Sequence, residues 1–406
     1  MKYYLAIDIG ASSGRCIIGR ESPGRTPCPD GHFDSGAVEL EEVYRFPNGS
    51  EPEGQHLVWP IEPLLEHVKI GIDQALRKFP KIESFAIDTW GVDYLLMRGD
   101  ESFYPAYSYR DGRTAGIIDK VHSIVPFKEL YEHTGVQYQP FNTIYQLFDD
   151  KEQGRLGVCD TFLMIPEYLT YRLTGIKAKE FTNASTTGLV NARTRDWDFE
   201  IIDRLGFDRG MFSKLHMPGE AVGEYKGIPV MLCASHDTAS AFEAVDVPEN
   251  TLLLSSGTWS LLGIKVSEPI LHDKAREFNW TNEQGRDATT GGTYVRFLKN
   301  IDGLYTIGLV RNEFGLGFDE AEGLARSGTI EKLTLAYKAL AMKYAAAVRE
   351  IEEIVGREFS QIVVIGGGAK DKYLTELTAE YVGKRVAAKP IEATALGNIK
   401  SQCTMK

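Results

Sequence analysis

The chain has 406 residues, of which 43% are hydrophobic and 25% are charged, and its formal net charge is −12. This length leaves room for two domains, each large enough to bury its own core. The negative charge argues against a general nucleic-acid binder, which would present a basic face. No run approaches the roughly 18 apolar residues of a membrane span, and the N-terminus lacks the residue order of a signal peptide. We therefore expect neither nucleic acid nor a membrane as a partner.

The cysteines also indicate the redox compartment of the protein. Five are present, scattered along the chain without a CxxC pair: Cys16, Cys28, Cys159, Cys233 and Cys403. This usage argues against a disulfide framework and against a zinc site. A reducing compartment is the simplest setting, so we expect a cytoplasmic protein. Cys16 and Cys233 lie in apolar runs and are predicted to be small core residues.

The first predicted element is a strand–turn–strand unit. Strands over 3–9 and 14–20 enclose a turn rich in glycine and serine that directly follows Asp8. Such a turn leaves backbone N–H groups and small hydroxyls free to converge on an anion, because no bulky side chain stands in the way. An ordinary hairpin is the alternative interpretation for this unit taken singly.

Alternating strands and helices follow in the first half. The predicted elements are a Gly/Pro-rich loop at 21–36, a strand near 38–46, a helix over 60–78, strands at 85–88 and 94–97, and a strand over 228–233. Residues 101–240 contain helical patches and many aromatic and polar loop residues. Asp237 comes just after the last strand, at the kind of strand end where α/β proteins form their sites.

The second half repeats this plan. A second hairpin covers 251–266 around the turn at 255–260, a long helix covers about 331–356, and a buried strand covers 362–365. Gly366, Gly367 and Gly368 follow that strand, and a helix is predicted over about 371–382. We place a domain boundary near residue 245, which gives domains 1–244 and 245–406. Two similar hairpins half a chain apart suggest a duplicated scaffold that grips one polyphosphate from two sides.

Two aspartates are candidates for chemistry. Asp8 would repel phosphate unless a cation lay between them, and Mg²⁺ prefers oxygen ligands and bridges carboxylates and phosphates. The alternative role for Asp8 is a cap that closes the turn. Asp237 is placed to act as a general base for a hydroxyl, with an N-terminal helix cap as the alternative.

Other motifs indicate which kinds of ligand the site could bind. The triple glycine suits close approach of a flat or anionic group, although a tight turn would also explain it. Aromatic and amide residues at 89–94, 109–114 and 141–147 are candidate sugar contacts. No GxxxxGK[ST] motif is present, which excludes a P-loop, and a Rossmann site is weakly supported.

Several of these segments together match a known family. They occur in order over nearly the whole chain: 8–15 (DIGASSGR), 87–93, 141–147, 181–187, 234–240 (ASHDTAS), 255–260 (SSGTWS), 298–301, 366–368 and 392–398 (EATALGN). On these segments the chain resembles the FGGY carbohydrate kinases of the actin/hexokinase ATPase superfamily. The resemblance implies an α/β fold with two ribonuclease-H-like domains around a cleft.

The resemblance also implies an activity and a set of site residues. It implies transfer of a phosphoryl group from ATP, with Mg²⁺, to a primary hydroxyl of a ketose. Within the family the chain looks most like the L-rhamnulose kinases, with L-fuculose and xylulose as alternative substrates, and with a monomer or a homodimer as the assembly. The matching positions are Asp237 as catalytic base; Ala11, Ser12, Ser13, Gly14, Arg15, Thr258, Gly366, Gly367 and Gly368 for ATP; Gly91, His236, Asp237, Thr238 and Asn300 for the sugar; and Asp8 for the metal.

The chain also departs from the family pattern. The connection between Phe314 and the helix near 331 is shorter than expected, and adenine-side structure normally lies there. Gly308 stands in place of a polar nucleotide contact, Asp371 replaces an asparagine, and the sequence stops at Lys406 where relatives continue. We therefore expect a shortened nucleotide domain with an incomplete base pocket. A non-catalytic sugar- or nucleotide-binding remnant is the alternative from another functional class.

Overall fold

The structure is a computed structural model that describes residues 1–22, 24–25, 34–389 and 392–403. Cys28 and most of the predicted loop at 21–36 lie outside the described residues. Within the described part of the chain, no helix combines the length and the apolar character that a membrane crossing requires. Cys16 and Cys233 are buried, as predicted.

Strands and helices alternate through both halves of the chain. The strands are β1 Tyr3–Ile9, β2 Ser13–Glu21, β3 Val38–Pro47, β4 Glu51–Glu53, β5 His56–Val58, β6 Ser84–Thr89, β7 Tyr94–Arg98, β8 Glu101–Phe103, β9 Thr161–Met164, β10 Lys179–Glu180, β11 Leu215–His216, β12 Ala221–Tyr225, β13 Ile228–Met231, β14 Thr251–Ser256, β15 Trp259–Val266, β16 Thr281–Arg286, β17 Thr293–Asp302, β18 Gln361–Ile365 and β19 Arg385–Ala388. The helices are α1 Ile61–Lys78, α2 Ile118–Ile124, α3 Phe127–Thr134, α4 Thr143–Glu152, α5 Ile165–Thr174, α6 Phe181–Ala184, α7 Phe199–Arg204, α8 Asp237–Glu243, α9 Asp273–Glu277, α10 Tyr305–Glu313, α11 Phe318–Arg326, α12 Glu331–Val355, α13 Lys372–Val382 and α14 Ala393–Cys403.

Two six-stranded sheets organise these elements. The first has the order β12-β13-β6-β1-β2-β3, and the second has the order β16-β17-β15-β14-β18-β19. In the first sheet β1 is antiparallel to β2 and parallel to β6, and in the second β14 is antiparallel to β15 and parallel to β18. The duplicated plan predicted from the sequence is therefore present. Parallel pairing brings the carboxyl ends of β1 and β6 together, and likewise those of β14 and β18.

Two amphipathic helices cover these sheets. Helix α1 buries Leu64, Leu65, Val68 and Ile72, which recur at helical spacing, and they pack in the same core as β1 and β6. Helix α12 likewise buries one face, which packs in the same core as β14, β15 and β18 of the second sheet. Both helices and both hairpins were predicted, whereas the amphipathic helix α11, which buries Ala321 and Ala325, was not.

The last described helix packs closely on the first sheet, and its Leu396 and Ile399 also share a core cluster with Leu253 and Val363 of the second sheet. In α14 the Asn398 Nδ2 atom donates a hydrogen bond to Asp88 Oδ2 at 2.6 Å, and Gln402 Nε2 donates to the Leu5 carbonyl at 3.1 Å. A Cβ at Gly397 would lie 1.7 Å from the Ser240 carbonyl oxygen, so only glycine permits this close crossing of α14 and α8. A domain boundary near residue 245 stays a proposal. Residues beyond that position, in α14, pack against the first sheet.

Candidate active site

A cavity of about 420 Å³ lies between the two halves of the chain. Most of the predicted site residues line it: Asp8, Ala11, Ser13, Arg15, Gly91, His236, Asp237, Thr238, Thr258, Asn300, Gly366 and Gly367. The predicted residues Ser12, Gly14 and Gly368 do not line the cavity. The fold thus brings together residues that extend from position 8 to position 367, because the carboxyl ends of the central strands of both sheets face the same space.

The two hairpin turns border this cavity with backbone and small side chains. The Gly10 N–H donates to the Ser13 carbonyl at 2.9 Å, and the Gly257 N–H donates to the Trp259 carbonyl at 3.0 Å. Gly14 serves packing, because a Cβ there would lie 2.1 Å from the ring of Phe46. The turn geometry fits a phosphate cradle.

Asp8 and Arg15 face each other across the first hairpin. They are cross-strand partners of β1 and β2, and Arg15 Nη2 lies 2.5 Å from Asp8 Oδ2. The other guanidinium nitrogen of Arg15 forms an ion pair with Glu392, which lies 3.4 Å from Lys370 Nζ. All four side chains line the cavity. A bound polyphosphate would therefore meet two cations, Arg15 and Lys370, that are held at the cavity by carboxylates.

A second buried carboxylate stands beside Asp8. Asp88 is the register partner of Asp8 in the parallel pair of β1 and β6 and is fully buried. Burial raises the pKa of both carboxyls, and the pKa of Asp88 lies well above its usual value because Asp8 also repels its charge. No role was predicted for Asp88 from the sequence, although it lies near the end of a buried strand in the same way as Asp8.

Asp8 lines the cavity and Asp88, its register partner, does not, so the pair fits a magnesium ion held partly through water. Asp88 Oδ1 is buried and has no hydrogen-bond partner among the described residues, and Asp237 adds a further negative charge near Asp8. Mg²⁺ favours carboxylate oxygens and retains several waters. Within the described residues, only Glu129, His133 and Glu200 bring three ligand atoms within 4.8 Å of one another, and that group lies apart from the cavity.

Asp237 begins a helix at the edge of the cavity. It is the first residue of α8, and His236 occupies the N-cap position. The Asp237 Oδ1 atom accepts hydrogen bonds from the Thr238 N–H at 2.5 Å and from Thr238 Oγ1 at 3.0 Å. Its side chain keeps 33% of its surface exposed. One oxygen is thus fixed by Thr238 while the carboxylate remains accessible, which is the arrangement that a general base requires.

Aromatic side chains from the three segments predicted to contact a sugar form another wall of the cavity. Trp90, Tyr109 and Phe141 line the cavity. Behind them, Asp93 Oδ2 accepts hydrogen bonds from the indole nitrogens of Trp59 at 2.6 Å and Trp90 at 3.0 Å, and from the Tyr109 N–H at 2.9 Å. Burial raises the pKa of Asp93 to about 6. This carboxylate holds two of the three aromatic residues in place.

The loop beside Gly91 is strained. Val92 has a φ of 66°, which is rare for a β-branched residue. Its backbone is held on both sides, because its N–H donates to Thr186 Oγ1 at 3.2 Å and its carbonyl accepts from Thr143 Oγ1 at 2.7 Å. Strain of this kind gathers at ligand sites, where the surrounding structure enforces it.

Comparison with known proteins identifies the family. Residues 43–241 match the N-terminal domain, and residues 321–405 the C-terminal domain, of the FGGY family of carbohydrate kinases. The chain is 37% identical to a rhamnulokinase from Halalkalibacterium halodurans, over 99% of this chain and 93% of that protein. The chain belongs to the FGGY family of carbohydrate kinases. It is a phosphotransferase that acts on a sugar, as the resemblance implied.

A further relative supports this assignment, and two solved structures share the fold. A rhamnulokinase from Bacillus subtilis is 35% identical over 98% of this chain and 89% of its own length. Among solved structures, a xylulose kinase from Lactobacillus acidophilus superposes with a TM-score of 0.81 at 15% identity, over 99% of this chain and 89% of that chain. A Plasmodium falciparum glycerol kinase with ADP gives a TM-score of 0.75 at 14% identity, over 98% of this chain and 88% of that chain. These structures confirm the actin/hexokinase-like ATPase fold.

Proposed function

We propose that this kinase transfers the γ-phosphoryl group of ATP to a primary hydroxyl of L-rhamnulose, giving L-rhamnulose 1-phosphate. The family establishes a sugar kinase, and relatives at 35% and 37% identity over nearly the whole chain are named rhamnulokinase. The observation that carries the proposal is the position of Asp237 in a cavity shared by two phosphate-type hairpins and an aromatic wall.

The proposed roles follow from this geometry. Asp237 accepts the proton of the sugar hydroxyl as that hydroxyl attacks the γ-phosphorus. The cavity-lining residues of the three turns hold the triphosphate, mainly through backbone N–H groups: Ala11, Ser13, Arg15, Thr258, Gly366 and Gly367. Gly91, His236, Thr238 and Asn300 contact the sugar. Because phosphoryl transfer needs mainly positioning and charge stabilisation, these contacts account for most of the catalysis.

Asp8 and Asp88 are the residues that would hold Mg²⁺. When bound, the ion would neutralise charge on the phosphates. The chain's own contribution is to keep two carboxylates together in a buried position, where their mutual repulsion favours uptake of a cation.

A coupled assay of ADP release across ketoses tests the proposal. We expect turnover with L-rhamnulose and kcat/KM lower by about ten-fold or more with L-fuculose and xylulose, a difference of about 1.4 kcal/mol. A higher kcat/KM with either of those sugars would replace L-rhamnulose as the substrate. Calorimetry with ATP and then with L-rhamnulose separates an enzyme from a binding remnant, since a remnant would bind at most one of them.

A further inference from the structure

Several buried polar atoms at the cavity are left without partners. Among the described residues, Gln137 Oε1, Thr281 Oγ1 and Asn300 Oδ1 have no hydrogen-bond partner, and all three residues line the cavity. Gln137 and Thr281 are 3% and 0% exposed. An unpaired buried polar atom costs about 1–3 kcal/mol, so such atoms are rare unless a ligand or water satisfies them. Their concentration in one wall indicates a site for a ligand rich in hydroxyl groups.

Three of the wall residues share one face of the second sheet. Thr281 and Glu283 are two residues apart on β16, so their side chains point to the same side. Their cross-strand partners on β17 are Leu298 and Arg296, and Asn300 lies two residues beyond Leu298 on that same side. The strand pairing therefore places Thr281 and Glu283 beside Asn300, the sugar contact that the family resemblance implies.

Gln137 reaches this wall from the first half of the chain. It lies in the loop after α3, and the carbonyl of Gly135 in this loop accepts a hydrogen bond from the Asn282 N–H of β16 at 2.9 Å. The Asn282 side chain donates to the same carbonyl at 3.2 Å. This double contact fixes the loop that carries Gln137 next to β16.

Glu283 connects the wall to the proposed base. Its Oε2 atom lies 3.1 Å from Arg296 Nη2 and 3.2 Å from His236 Nδ1, and His236 Nε2 lies 3.5 Å from Asp237 Oδ1. Burial favours a neutral Glu283, but Arg296 and His236 outweigh it and hold the pKa of this carboxyl below its usual value. Glu283 is therefore an ionised acceptor at the cavity, separated from Asp237 by one imidazole ring.

We propose that Gln137, Thr281 and Glu283 form a distal hydroxyl subsite, which binds the ketose hydroxyls remote from the one that is phosphorylated. The inference rests on the proposed function and adds specificity-determining residues to it. Sugars that differ in the configuration of those hydroxyls would leave buried polar atoms of the subsite unpaired, which is the strongest form of discrimination available to a polar pocket.

Two variants with a matched control test the subsite. Thr281→Val and Gln137→Leu each remove an acceptor with little change in volume. Thr378→Val makes the same change at a buried threonine of α13 that is away from the cavity, where the hydroxyl donates to the Leu374 carbonyl. We expect the Kd for L-rhamnulose by calorimetry, and its KM, to rise about ten-fold in the two subsite variants, corresponding to about 1.4 kcal/mol. KM for ATP should not change, and Thr378→Val should leave both constants at wild-type values.

The outcomes separate the two proposals. Affinity for L-rhamnulose within about two-fold of wild type in both Thr281→Val and Gln137→Leu would overturn the subsite and leave the proposed function standing. A wild-type chain that binds L-rhamnulose without phosphorylating it would overturn the proposed function, while the binding constants would still decide the subsite. A wild-type chain that binds no ketose overturns both. If one variant fails to fold, as judged by thermal unfolding against Thr378→Val, the other variant decides.

Discussion

Asp237 is the residue on which the proposed chemistry depends. Asp237→Asn keeps the shape of the side chain and removes its ability to accept a proton. We expect kcat to fall by about 10²–10⁴-fold, while calorimetry shows unchanged affinity for L-rhamnulose. Turnover within a few-fold of wild type would exclude Asp237 as the base and leave it a structural role at the start of α8.

Asp8 forms an ion pair with Arg15. The effect of losing this ion pair must therefore be distinguished from the effect of losing a metal ligand. Asp8→Asn should raise the Mg²⁺ concentration needed for half-maximal activity by about ten-fold, because one of two adjacent carboxylates is lost. Glu392→Gln is the control, since Glu392 is the other carboxylate bound to Arg15. An equal effect of both substitutions would mean that Asp8 acts through Arg15 and not through the ion.

Asp93 should make stability depend on pH. Its pKa is raised to about 6 by burial, so the folded state holds a proton that the unfolded state releases near its ordinary pKa of about 4. The stabilisation is complete below about pH 4 and is lost as the pH rises through about 6, a change of about 3 kcal/mol in the free energy of unfolding. Urea unfolding of wild type and Asp93→Asn at several pH values should give a difference that changes over this window. Parallel curves would contradict the assignment.

At the scale of elements, the glycine turn after β18 is fitted closely to the second hairpin. A Cβ at Gly368 would lie 2.0 Å from Ser256 Oγ, whereas a Cβ at Gly367 would meet no described atom within 4 Å. We expect Gly368→Ala to move the turn away from β14 and raise KM for ATP by about ten-fold or more, with little effect on KM for the ketose. Gly323→Ala, in α11 and outside the cavity, is the control for the loss of a glycine, since a Cβ there would also meet no described atom within 4 Å.

A second substitution, Ser256→Gly, can show whether the contact with Ser256 causes the rise in KM for ATP in Gly368→Ala. Ser256→Gly removes the Oγ and Cβ atoms that the methyl group introduced by Gly368→Ala would strike, so the double variant should recover most of the affinity for ATP. A failure of this rescue, with both single variants folded, would show that Gly368 is needed for its backbone freedom and not for its contact with Ser256.

At the same scale, the sequence predicted the central strands of both sheets and the long helices α1 and α12, and it missed many of the other strands and helices. Helices α1, α12 and α13 and both hairpins lie within a few residues of the predicted bounds, because hydrophobic periodicity and glycine-rich turns are local signals. The predicted strand at 228–233 ends at Met231. Helix α11 was missed although its sequence is amphipathic, and α14 could be placed on the first sheet only through contacts such as that of Asn398 with Asp88, 310 positions away.

For the whole molecule, the predicted shortening of the nucleotide half would have a functional consequence. The alignment with the Halalkalibacterium halodurans relative extends over 453 positions, more than the 406 residues of this chain, so internal segments of that relative have no counterpart here. Near the expected site of the loss, Leu309 and Phe318 are 52% and 77% exposed. This exposure is consistent with a base pocket that lacks part of its wall.

We therefore expect weak discrimination between nucleotides. If the hairpins and Mg²⁺ supply most of the binding energy, kcat/KM for ATP should exceed that for GTP and CTP by less than about 100-fold, or about 2.7 kcal/mol. The apparent affinity should also fall with added salt more than in a site with a complete pocket, because exposed charge contacts are screened. A larger preference for ATP would show that the base pocket is intact.

The sequence by itself determined the class of the protein. Asp8 and Asp237 could be singled out because each comes at or just after the end of an apolar strand, and the ordered motifs identified the kinase family. These are signals between neighbours in the chain, set by strand alternation and turn chemistry.

Only the tertiary structure decided which distant residues meet. The parallel pairing of β1 and β6 sets Asp88 beside Asp8, and the pairing of β16 and β17 sets Glu283 against Arg296. The contact between Gly135 and Asn282 brings Gln137 to the same cavity. None of these pairings follows from local periodicity, because each depends on how sheets and loops pack after the chain has closed on itself.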